Sequence, residues 1–285
     1  MSDTDPAIEV HALTKRYGEY EAVRGIDFTV RRGEVFGLLG PNGAGKTTTV
    51  EILEGYRGRS GGEVAVLGHD PAERSIELRR AIGIVLQSGG IYGHVTPREV
   101  LGHWAGFYPH PRGVEEVLAL AGLEDQADVR SRKLSGGQLR RLDFALALVG
   151  DPELMFLDEP TTGFDPAARH AAWETVRSLR DLGKTILLTT HYLDEAQELA
   201  DRVAIVKDGR VLAIGPPREL GVGGSQYRVA YLDRDGGLVE HQTEDPTRLL
   251  NELTGQALSR GEELRELSVG RPTLEDVYLE LTADA

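Results

Sequence analysis

A glycine-rich stretch around residue 40 constrains this chain more strongly than any other feature of its sequence. Residues 40–47 read GPNGAGKT and match the phosphate-binding pattern G-x-x-x-x-G-K-[ST]. The largely apolar residues 34–39 predict a buried strand, and residues 47–53 contain no helix breaker and predict a helix. A glycine-rich turn between a strand and a helix directs backbone N–H groups and the positive end of the helix dipole at a phosphate. The full match in this context favours a phosphate site over a glycine-rich turn that binds nothing.

Two side chains of this loop suit a bound nucleoside triphosphate. The ammonium group of Lys46 can reach the β- and γ-phosphates, and the hydroxyl of Thr47 can bind the Mg²⁺ that bridges them. The candidate phosphate-binding residues of the loop are Gly40, Asn42, Gly43, Gly45, Lys46, Thr47 and Thr48.

Composition limits the classes of protein to which the chain can belong. Its 285 residues suffice for one large domain, or for one domain with a small appendage. The absence of cysteine excludes disulfides and thiolate metal sites and suits the cytoplasm. The formal net charge of −14 disfavours binding to nucleic acid. The acidic first residues are not typical of a secretory signal, and no apolar run approaches the roughly 18 residues of a membrane span, so we expect any membrane role to depend on a partner chain.

The acidic residues are unevenly distributed along the chain. Residues 222–285 contain 13 Asp and Glu and 6 Arg, a net charge of −7. Such a shift in composition is typical of a separate module. We therefore predict a nucleotide-binding domain over residues 1–220 and a small acidic α+β accessory domain over residues 221–285. The predicted strands of the accessory domain are 227–232, 238–242 and 264–269, and its predicted helices are 246–253 and 274–281.

Up to residue 220, short apolar strands alternate with helices, which is typical of an α/β domain. Residues 8–10 alternate in the manner of an edge strand. From residue 96 to about 149 the pattern predicts helices without intervening strands, beginning with the capping box TPRE at 96–99. We interpret this stretch, about 90–150, as a helical subdomain inserted in the α/β domain.

Polar side chains follow three of the predicted strands directly. Asp158 and Glu159 follow one apolar strand, Gln87 follows another, and His191 lies just past a third. Ligands of open α/β sheets bind at the carboxyl ends of the strands, and two acids there need the positive charge of Mg²⁺. We expect Asp158 to hold Mg²⁺ through water and Glu159 to act as the general base. Gln87 could approach Mg²⁺ or the attacking water, and His191 could reach the γ-phosphate. Taken alone, however, Gln87 is more typical of a solvated residue at a strand end, and His191 of a polar surface or core residue.

Residues 134–138 read LSGGQ and open a predicted helix at 139–149. The free N–H groups of a helix N-terminus beside the hydroxyl of Ser135 can form a second anion site. Taken alone, however, the pattern favours an ordinary helix N-cap. Tyr17 is similarly ambiguous, because its ring could stack on adenine or belong to the edge of the core.

The order of these motifs resembles the nucleotide-binding domain of ABC transporters over roughly residues 8–220. The matching residues are Tyr17 as the adenine-stacking aromatic, 40–47 as the Walker A loop, Gln87 as the Q-loop glutamine, 134–138 as the signature, Asp158 and Glu159 as Walker B with its catalytic glutamate, Asp165 as the D-loop aspartate and His191 as the switch histidine. The resemblance implies an α/β fold of the P-loop NTPase class that binds and hydrolyses ATP with Mg²⁺. The sequence departs from the family at Phe164, where the D-loop usually carries Leu, and we expect this to alter packing rather than to abolish activity.

The resemblance also implies a head-to-tail dimer. In this family each ATP lies between the Walker A loop of one domain and the signature of the other. The signature residues that would contact the ATP of a second copy are Ser135, Gly136, Gly137 and Gln138. ATP then joins the two domains and hydrolysis releases them, and this cycle moves a transmembrane partner.

The end of the chain, PTLEDVYLEL at 272–281, resembles the ATP-binding subunits of drug exporters of the daunorubicin-resistance type. In such systems a separate polytopic permease carries the cargo, so we expect a drug-like or antibiotic-like substrate and a location at the cytoplasmic face of the membrane. The coupling helix of the permease would dock in a groove beside Gln87 that includes residues 90–104. The alternatives are a soluble ABC ATPase of translation or repair, disfavoured by the lack of a second P-loop or a heptad insertion, and an importer subunit, disfavoured by the resemblance of the tail.

Overall fold

The chain divides into two compact units, Met1–Ile214 and Gly215–Ala285. The computed structural model describes residues 6–86, 90, 93–220, 227–234, 236–270 and 274–283. Gln87, the predicted Q-loop glutamine, lies outside the described residues.

Strands and helices alternate from the beginning of the described chain. The strands are β1 (Ile8–Tyr17), β2 (Tyr20–Val30), β3 (Val35–Leu39), β4 (Gly61–Val66), β5 (Ile82–Val85), β6 (Leu154–Asp158), β7 (Thr185–Thr190), β8 (Arg202–Lys207) and β9 (Arg210–Gly215). The helices are α1 (Lys46–Leu53), α2 (Ile76–Ala81), α3 (Pro97–Ala105), α4 (Val114–Leu120), α5 (Gly136–Leu148), α6 (Pro166–Asp181) and α7 (Leu193–Leu199). The predicted α/β fold is confirmed.

The main sheet has the strand order β5-β6-β7-β3-β8-β9. From β5 to β8 every neighbouring pair is parallel. Alternate residues of β6 belong to different core clusters, Phe156 to one and Leu157 to the other, because successive side chains of a strand point to opposite faces. Both faces of the sheet are therefore buried, which explains the apolar strand sequences. The pairing places the carboxyl ends of β3, β6 and β7 side by side at one edge of the sheet.

A separate antiparallel sheet has the order β2-β1-β4. β1 pairs with both neighbours, since Ile8 lies opposite Val30 on one side and Val66 on the other. The prediction of an edge strand at residues 8–10 is therefore wrong, because β1 is central. The alternation that suggested an edge arises instead because one face of the strand is buried in the core.

The helix-only prediction for residues 96–149 is confirmed by α3, α4 and α5. α3 begins with the predicted capping box, in which the Thr96 side chain accepts from the Glu99 N–H and the Glu99 carboxylate accepts from the Thr96 N–H. The three helices enclose their own apolar core, with Leu101, Val117 and Leu142 fully buried.

The second unit contains an antiparallel sheet with two longer helices. Its elements are α8 (Pro217–Leu220), β10 (Tyr227–Leu232), β11 (Leu238–Thr243), α9 (Pro246–Arg260), β12 (Arg265–Gly270) and α10 (Leu274–Ala283), and the strand order is β11-β10-β12. α9 continues past Gly255 to Arg260 and is terminated by the following Gly261, which has a φ of 66°, so the predicted end at residue 253 is too early. A glycine inside a helix weakens it only moderately, and the buried Ala257 stabilises the last turns by packing.

In the described part of the chain, no helix combines the length and the apolar character needed to cross a bilayer.

Candidate active site

The predicted phosphate-binding loop connects β3, which is buried along its whole length, to α1. Close backbone packing requires glycine at two positions of the loop. A Cβ atom on Gly40 would lie 2.1 Å from the carbonyl oxygen of Val206, and one on Gly45 would lie 2.5 Å from the carbonyl oxygen of Ala22. Gly45 also has a φ of 99°, which side-chain-bearing residues rarely adopt. The path of the loop therefore depends on the glycines of the motif.

Lys46 is buried at the first position of α1, with 4% of its surface exposed. Its Nζ lies 2.7 Å from the carbonyl oxygen of Gly40 and 3.1 Å from that of Pro41, and 3.7 Å from Oε1 of Glu159. Burial lowers the pKa of Lys46, and the charges of Glu159 and Asp158 oppose this shift. The ammonium group thus donates to two neutral carbonyl oxygens, which are weak acceptors. Charged phosphate oxygens can replace them as acceptors.

The other polar residues of the loop differ in exposure. Asn42, Gly43 and Thr47 are exposed and Thr48 is partly buried. Thr49, by contrast, is buried and its hydroxyl donates to the carbonyl oxygen of Gly45 at 2.9 Å. The accessible hydroxyl of Thr47 therefore suits a metal ligand, whereas that of Thr49 stabilises the first turn of α1.

Asp158 and Glu159 lie at the carboxyl end of β6, as predicted. One hydroxyl connects them to the neighbouring strand. The Thr189 Oγ1 donates to Oδ1 of Asp158 at 2.6 Å and accepts from the backbone N–H of Glu159 at 2.9 Å. Burial raises the pKa of Asp158, and the hydrogen bond from Thr189 opposes this shift.

Glu159 has a φ of 44°, in the left-handed region that a glutamate seldom occupies. Such a conformation costs roughly 1–3 kcal/mol and persists only where surrounding contacts impose it. The side chain is 10% exposed, Thr162 Oγ1 donates to its Oε2 at 3.0 Å, and His191 Nδ1 lies 3.4 Å from its Oε1. The carboxylate thus lies between Lys46, Thr162 and His191.

The arrangement fits a nucleoside triphosphate with Mg²⁺. Two acidic side chains, Asp158 and Glu159, lie beside the single ammonium group of Lys46, and the raised pKa of Asp158 reflects the cost of burying its charge. Among the described residues, no three His, Asp or Glu side chains could hold a metal by themselves. A metal here would take its other ligands from phosphate and water, which is the binding mode that Mg²⁺ prefers. Asp158 and Thr47 are the described protein groups available for it.

The signature forms the start of α5 and shows the N-cap geometry that its sequence favoured. Ser135 Oγ accepts from the Gln138 N–H at 3.2 Å, and the Gln138 side chain accepts from the Ser135 N–H at 2.8 Å. The amides of Gly136 and Gly137 occupy the first two helical positions, which have no intrahelical acceptor. The capping box therefore coexists with amides that can bind an anion.

Asp165 caps α6, and its carboxylate accepts from the Ala168 N–H at 2.8 Å. Phe164 lines a small cavity of about 150 Å³ together with Ser135 and Gln138. The expectation that Phe164 alters packing without abolishing activity stays a prediction.

Tyr17 is the last residue of β1 and is 40% exposed. Lys15 Nζ and the guanidinium carbon of Arg57 lie 5.1 Å and 5.3 Å from the centre of its ring. The ring is thus available to a planar ligand and bordered by cations, and its role in stacking on adenine stays a prediction.

Sequence reasoning missed two residues that organise the site. Thr189 connects Asp158 with Glu159, and a polar residue at the end of an apolar strand was the signal for it. Arg140, 6% exposed, donates to the carbonyl oxygen of Pro160 at 3.1 Å and to that of Leu86. It thereby connects the signature helix to the segment after Glu159 and to the residue before Gln87. An arginine in a helix is usually exposed, so no pattern marked it.

Comparisons with known proteins agree with this geometry. The ABC transporter family model matches residues 23–162. The Nod factor export ATP-binding protein I of Rhizobium sp. strain N33 is 41% identical, with 97% of this chain and 97% of the relative covered. The daunorubicin/doxorubicin resistance ATP-binding protein of Streptomyces peucetius is 39% identical, with 97% of this chain and 92% of the relative covered.

Solved structures show the same fold. The ATP-binding subunit of an ABC transporter has a TM-score of 0.69 at 26% identity and covers 97% of this chain and 99% of its own. A dimeric ATP-binding cassette in a post-hydrolysis state, bound to ADP and phosphate, has a TM-score of 0.65 at 26% identity and covers 74% of this chain and 99% of its own.

These matches agree with the motif order, the parallel sheet and the cluster of Lys46, Glu159 and His191. Two of the matched proteins are export or resistance ATP-binding proteins that are similar along nearly the whole chain. The chain therefore belongs to the ABC transporter family and is one of its ATP-hydrolysing, ATP-binding subunits.

Proposed function

We propose that this chain powers an exporter. It binds a separate polytopic permease at the cytoplasmic face of a membrane and works as a head-to-tail dimer that ATP closes and hydrolysis opens. The cargo is a drug-like or antibiotic-like compound that the permease carries. We assign ATP turnover to residues 1–220 and an accessory role to the acidic residues 221–285.

The observation that carries the export assignment is the extent of the similarity to export proteins. The Nod factor export relative matches 97% of this chain, which includes the second unit as well as the nucleotide-binding motifs. The motifs themselves occur across the family, so they support ATP turnover without distinguishing export from import.

When nucleotide binds, Lys46 exchanges its present hydrogen-bond acceptors for phosphate oxygens. In this structure the ammonium group contacts two loop carbonyls and Glu159. The β- and γ-phosphates of ATP offer stronger, charged acceptors, so nucleotide binding draws Lys46 away from the carboxylate of Glu159. Asp158 and Thr47 would hold Mg²⁺ when it is bound, and the ion would then neutralise part of the phosphate charge.

Glu159 acts as the general base. Its carboxylate is held from one side by Thr162 and faces His191 at 3.4 Å on the other. Once ATP engages Lys46, the Oε1 of Glu159 is available to accept a proton from the attacking water. His191 positions the carboxylate and can contact the γ-phosphate. Gln87 is assigned to the Mg²⁺ and water site by the resemblance alone.

The signature serves the ATP of a second copy. The first-turn amides of Gly136 and Gly137, beside Ser135 and Gln138, form an anion site at the N-terminus of the long helix α5. Asp165 lies at the corresponding end of α6 and contributes to the same interface. Binding the γ-phosphate there joins the two copies.

The experiment that tests this function is an affinity purification of the tagged full-length chain from detergent-solubilised membranes of its native source. Mass spectrometry would identify the proteins that accompany it, with untagged cells as the control. A stoichiometric polytopic membrane protein is the expected result. Recovery of ribosomes, DNA-repair proteins or no partner would overturn the transporter assignment, and recovery of a solute-binding protein with the permease would indicate import instead.

A further inference from the structure

The first unit contains a buried carboxyl group that is not part of the catalytic cluster. Glu195, in the first turn of α7, is completely buried. Its Oε1 accepts from the Thr161 hydroxyl at 2.8 Å and from the Trp173 indole N–H at 3.2 Å. Glutamate is seldom buried to this extent without partners that compensate for the loss of water. The two hydrogen bonds join three segments of the chain that are distant in sequence.

Thr161 connects Glu195 to the segment of the general base. Thr161 is itself buried, and it opens a turn in which its carbonyl oxygen accepts from the Phe164 N–H at 3.1 Å. The next residue of the turn, Thr162, donates to Oε2 of Glu159 at 3.0 Å. A shift of Thr161 would therefore move the hydroxyl that holds the carboxylate of Glu159.

Trp173 connects Glu195 to the helix that the D-loop aspartate caps. It is buried and lies about two turns after Asp165 in α6. Glu195 lies only four residues after His191, and α7 begins two residues after that histidine. The placement of α7 against α6 therefore determines where His191 lies relative to Glu159.

A second contact between α6 and α7 lies at the surface. Arg169 pairs with Asp194 at 2.9 Å, and the Asp194 side chain is 55% exposed. Ion pairs that are open to water contribute little to stability. The loss of a partner by a buried polar group is more costly, because water cannot replace that partner. We therefore expect the contacts of Glu195 to hold the two helices together more firmly than the surface pair does.

The electrostatics of Glu195 indicate which replacement preserves its contacts. Burial raises the pKa of Glu195, and hydrogen bonds from Thr190, Thr161 and Trp173 oppose this shift. Glutamine is neutral and has nearly the same shape, and it retains an oxygen that can accept from both printed donors. Methionine has a similar volume and only a weak acceptor. A comparison of the two replacements therefore separates hydrogen bonding from packing.

We propose that Glu195 is a positioning residue for ATP hydrolysis, whose carboxyl group holds the Glu159 segment, the helix that Asp165 caps and His191 at the spacing that the reaction requires. It acts through Thr161 and Trp173 rather than by contact with the substrate. The inference rests on the proposed roles of Glu159 and His191.

The test compares steady-state ATP hydrolysis by the purified full-length wild type, Glu195→Met and Glu195→Gln, at a temperature at which thermal melts show all three folded. Glu195→Met should lower kcat by at least about tenfold, because misplaced catalytic groups lose the reactive geometry. The KM for ATP should stay within about twofold of wild type, since Lys46 and the phosphate loop are unchanged. Glu195→Gln should retain a kcat close to that of wild type.

Glu34→Met is the matched control. Glu34 is also buried, accepts from the Arg31 N–H at 2.6 Å and pairs with Arg202 at 3.1 Å. It precedes β3, however, and so lies at the end of that strand opposite to the phosphate loop. Glu34→Met should melt earlier than wild type and keep its kcat.

Thr161→Val and Trp173→Phe each remove one donor and nearly preserve packing, so the double variant replaces Glu195→Met should the latter not fold. It should lower kcat to a similar extent. A wild-type kcat in folded Glu195→Met or in the folded double variant overturns the inference. So does an equal loss of kcat in Glu34→Met, or a Glu195→Gln as slow as Glu195→Met. Normal hydrolysis by Glu159→Gln would instead overturn the proposed general base, whatever the variants of Glu195 show.

Discussion

Lys46 and Glu159 lie 3.7 Å apart, Nζ to Oε1, with side chains 4% and 10% exposed, although they belong to different strand–helix segments of the chain. The residue proposed to bind phosphate is therefore next to the residue proposed to act as the general base. We propose that bound nucleotide draws Lys46 away from this carboxylate.

Lys46→Ala should reduce ATP turnover to background, because the β- and γ-phosphates lose their ammonium contact. Phosphate release by the purified full-length chain measures it. Lys184→Ala is a matched control, since Lys184 is also buried and paired, 2.6 Å from Asp151, but lies outside the site. That control should lower the melting temperature and keep turnover. Wild-type turnover in Lys46→Ala would refute the phosphate assignment.

Glu159→Gln should bind ATP normally and reduce hydrolysis by at least about a hundredfold, the lower end of the usual contribution of a general base. Size-exclusion chromatography should then show an ATP-dependent dimer that wild type forms only transiently. Glu153→Gln, at an exposed acid just before the same strand, should behave as wild type. If Glu159→Gln turns ATP over at the normal rate, the base is another group.

Thr189→Val should lower kcat much more than it changes KM. The substitution removes the hydroxyl that connects Asp158 with the backbone of Glu159, and it costs on the order of 1–3 kcal/mol of stability. Thr185→Val at the other end of β7 is the matched control, because the Thr185 hydroxyl accepts from the Gly33 N–H at 2.9 Å. Both variants should melt earlier, but only Thr189→Val should lose kcat. An equal loss of kcat in both would indicate a purely structural role for Thr189.

Tyr17→Ala should weaken ATP binding by roughly 1–3 kcal/mol if the ring stacks on adenine. Calorimetric titration of the full-length chain, with ATP and with a triphosphate that lacks the base, separates stacking from phosphate binding. Tyr20→Ala is the control, because Tyr20 pairs with Tyr17 across the β1–β2 turn and is 58% exposed. An unchanged dissociation constant for ATP would show that Tyr17 has a structural role and does not stack on adenine.

Glu54 should make the stability of the free chain depend on pH. Burial raises its pKa to about 8 in the folded chain, and the pKa is near 4.5 when unfolded, so the unfolded state releases its proton first as the pH rises. The free energy of unfolding should therefore decrease from about pH 4.5 to about pH 8, by at most a few kcal/mol.

The variant Glu54→Gln should lose this part of the pH dependence. It should melt at a temperature similar to wild type at pH 5 and at a higher temperature at pH 8.5, whereas Glu77→Gln, at an exposed acid of α2, should follow wild type throughout. Thermal melts of the nucleotide-free chain across this range measure the difference. Parallel curves for wild type and Glu54→Gln would show that Glu54 is ionised in the folded state.

Most of the fold and of the candidate site could be predicted from motifs whose residues are contiguous in the sequence. The phosphate loop, the signature, the acids after β6 and the capping box at Thr96 each depend on residues within a few positions of one another, and such local patterns report backbone geometry directly. The strand–helix alternation likewise predicted the α/β fold. The edge prediction for β1 was wrong because alternation reports a buried face and does not identify a strand's neighbours.

Tertiary structure decided the contacts between distant segments. The strand order brings β3, β6 and β7 together, and only this places Lys46, Thr189 and Glu159 within reach of one another. It also buries Arg140 in α5 and Glu54 at the C-cap of α1, two charged residues that would be exposed on an isolated segment. The physical reason is that burial and charge pairing depend on neighbours in space, whereas a sequence pattern records only neighbours along the chain.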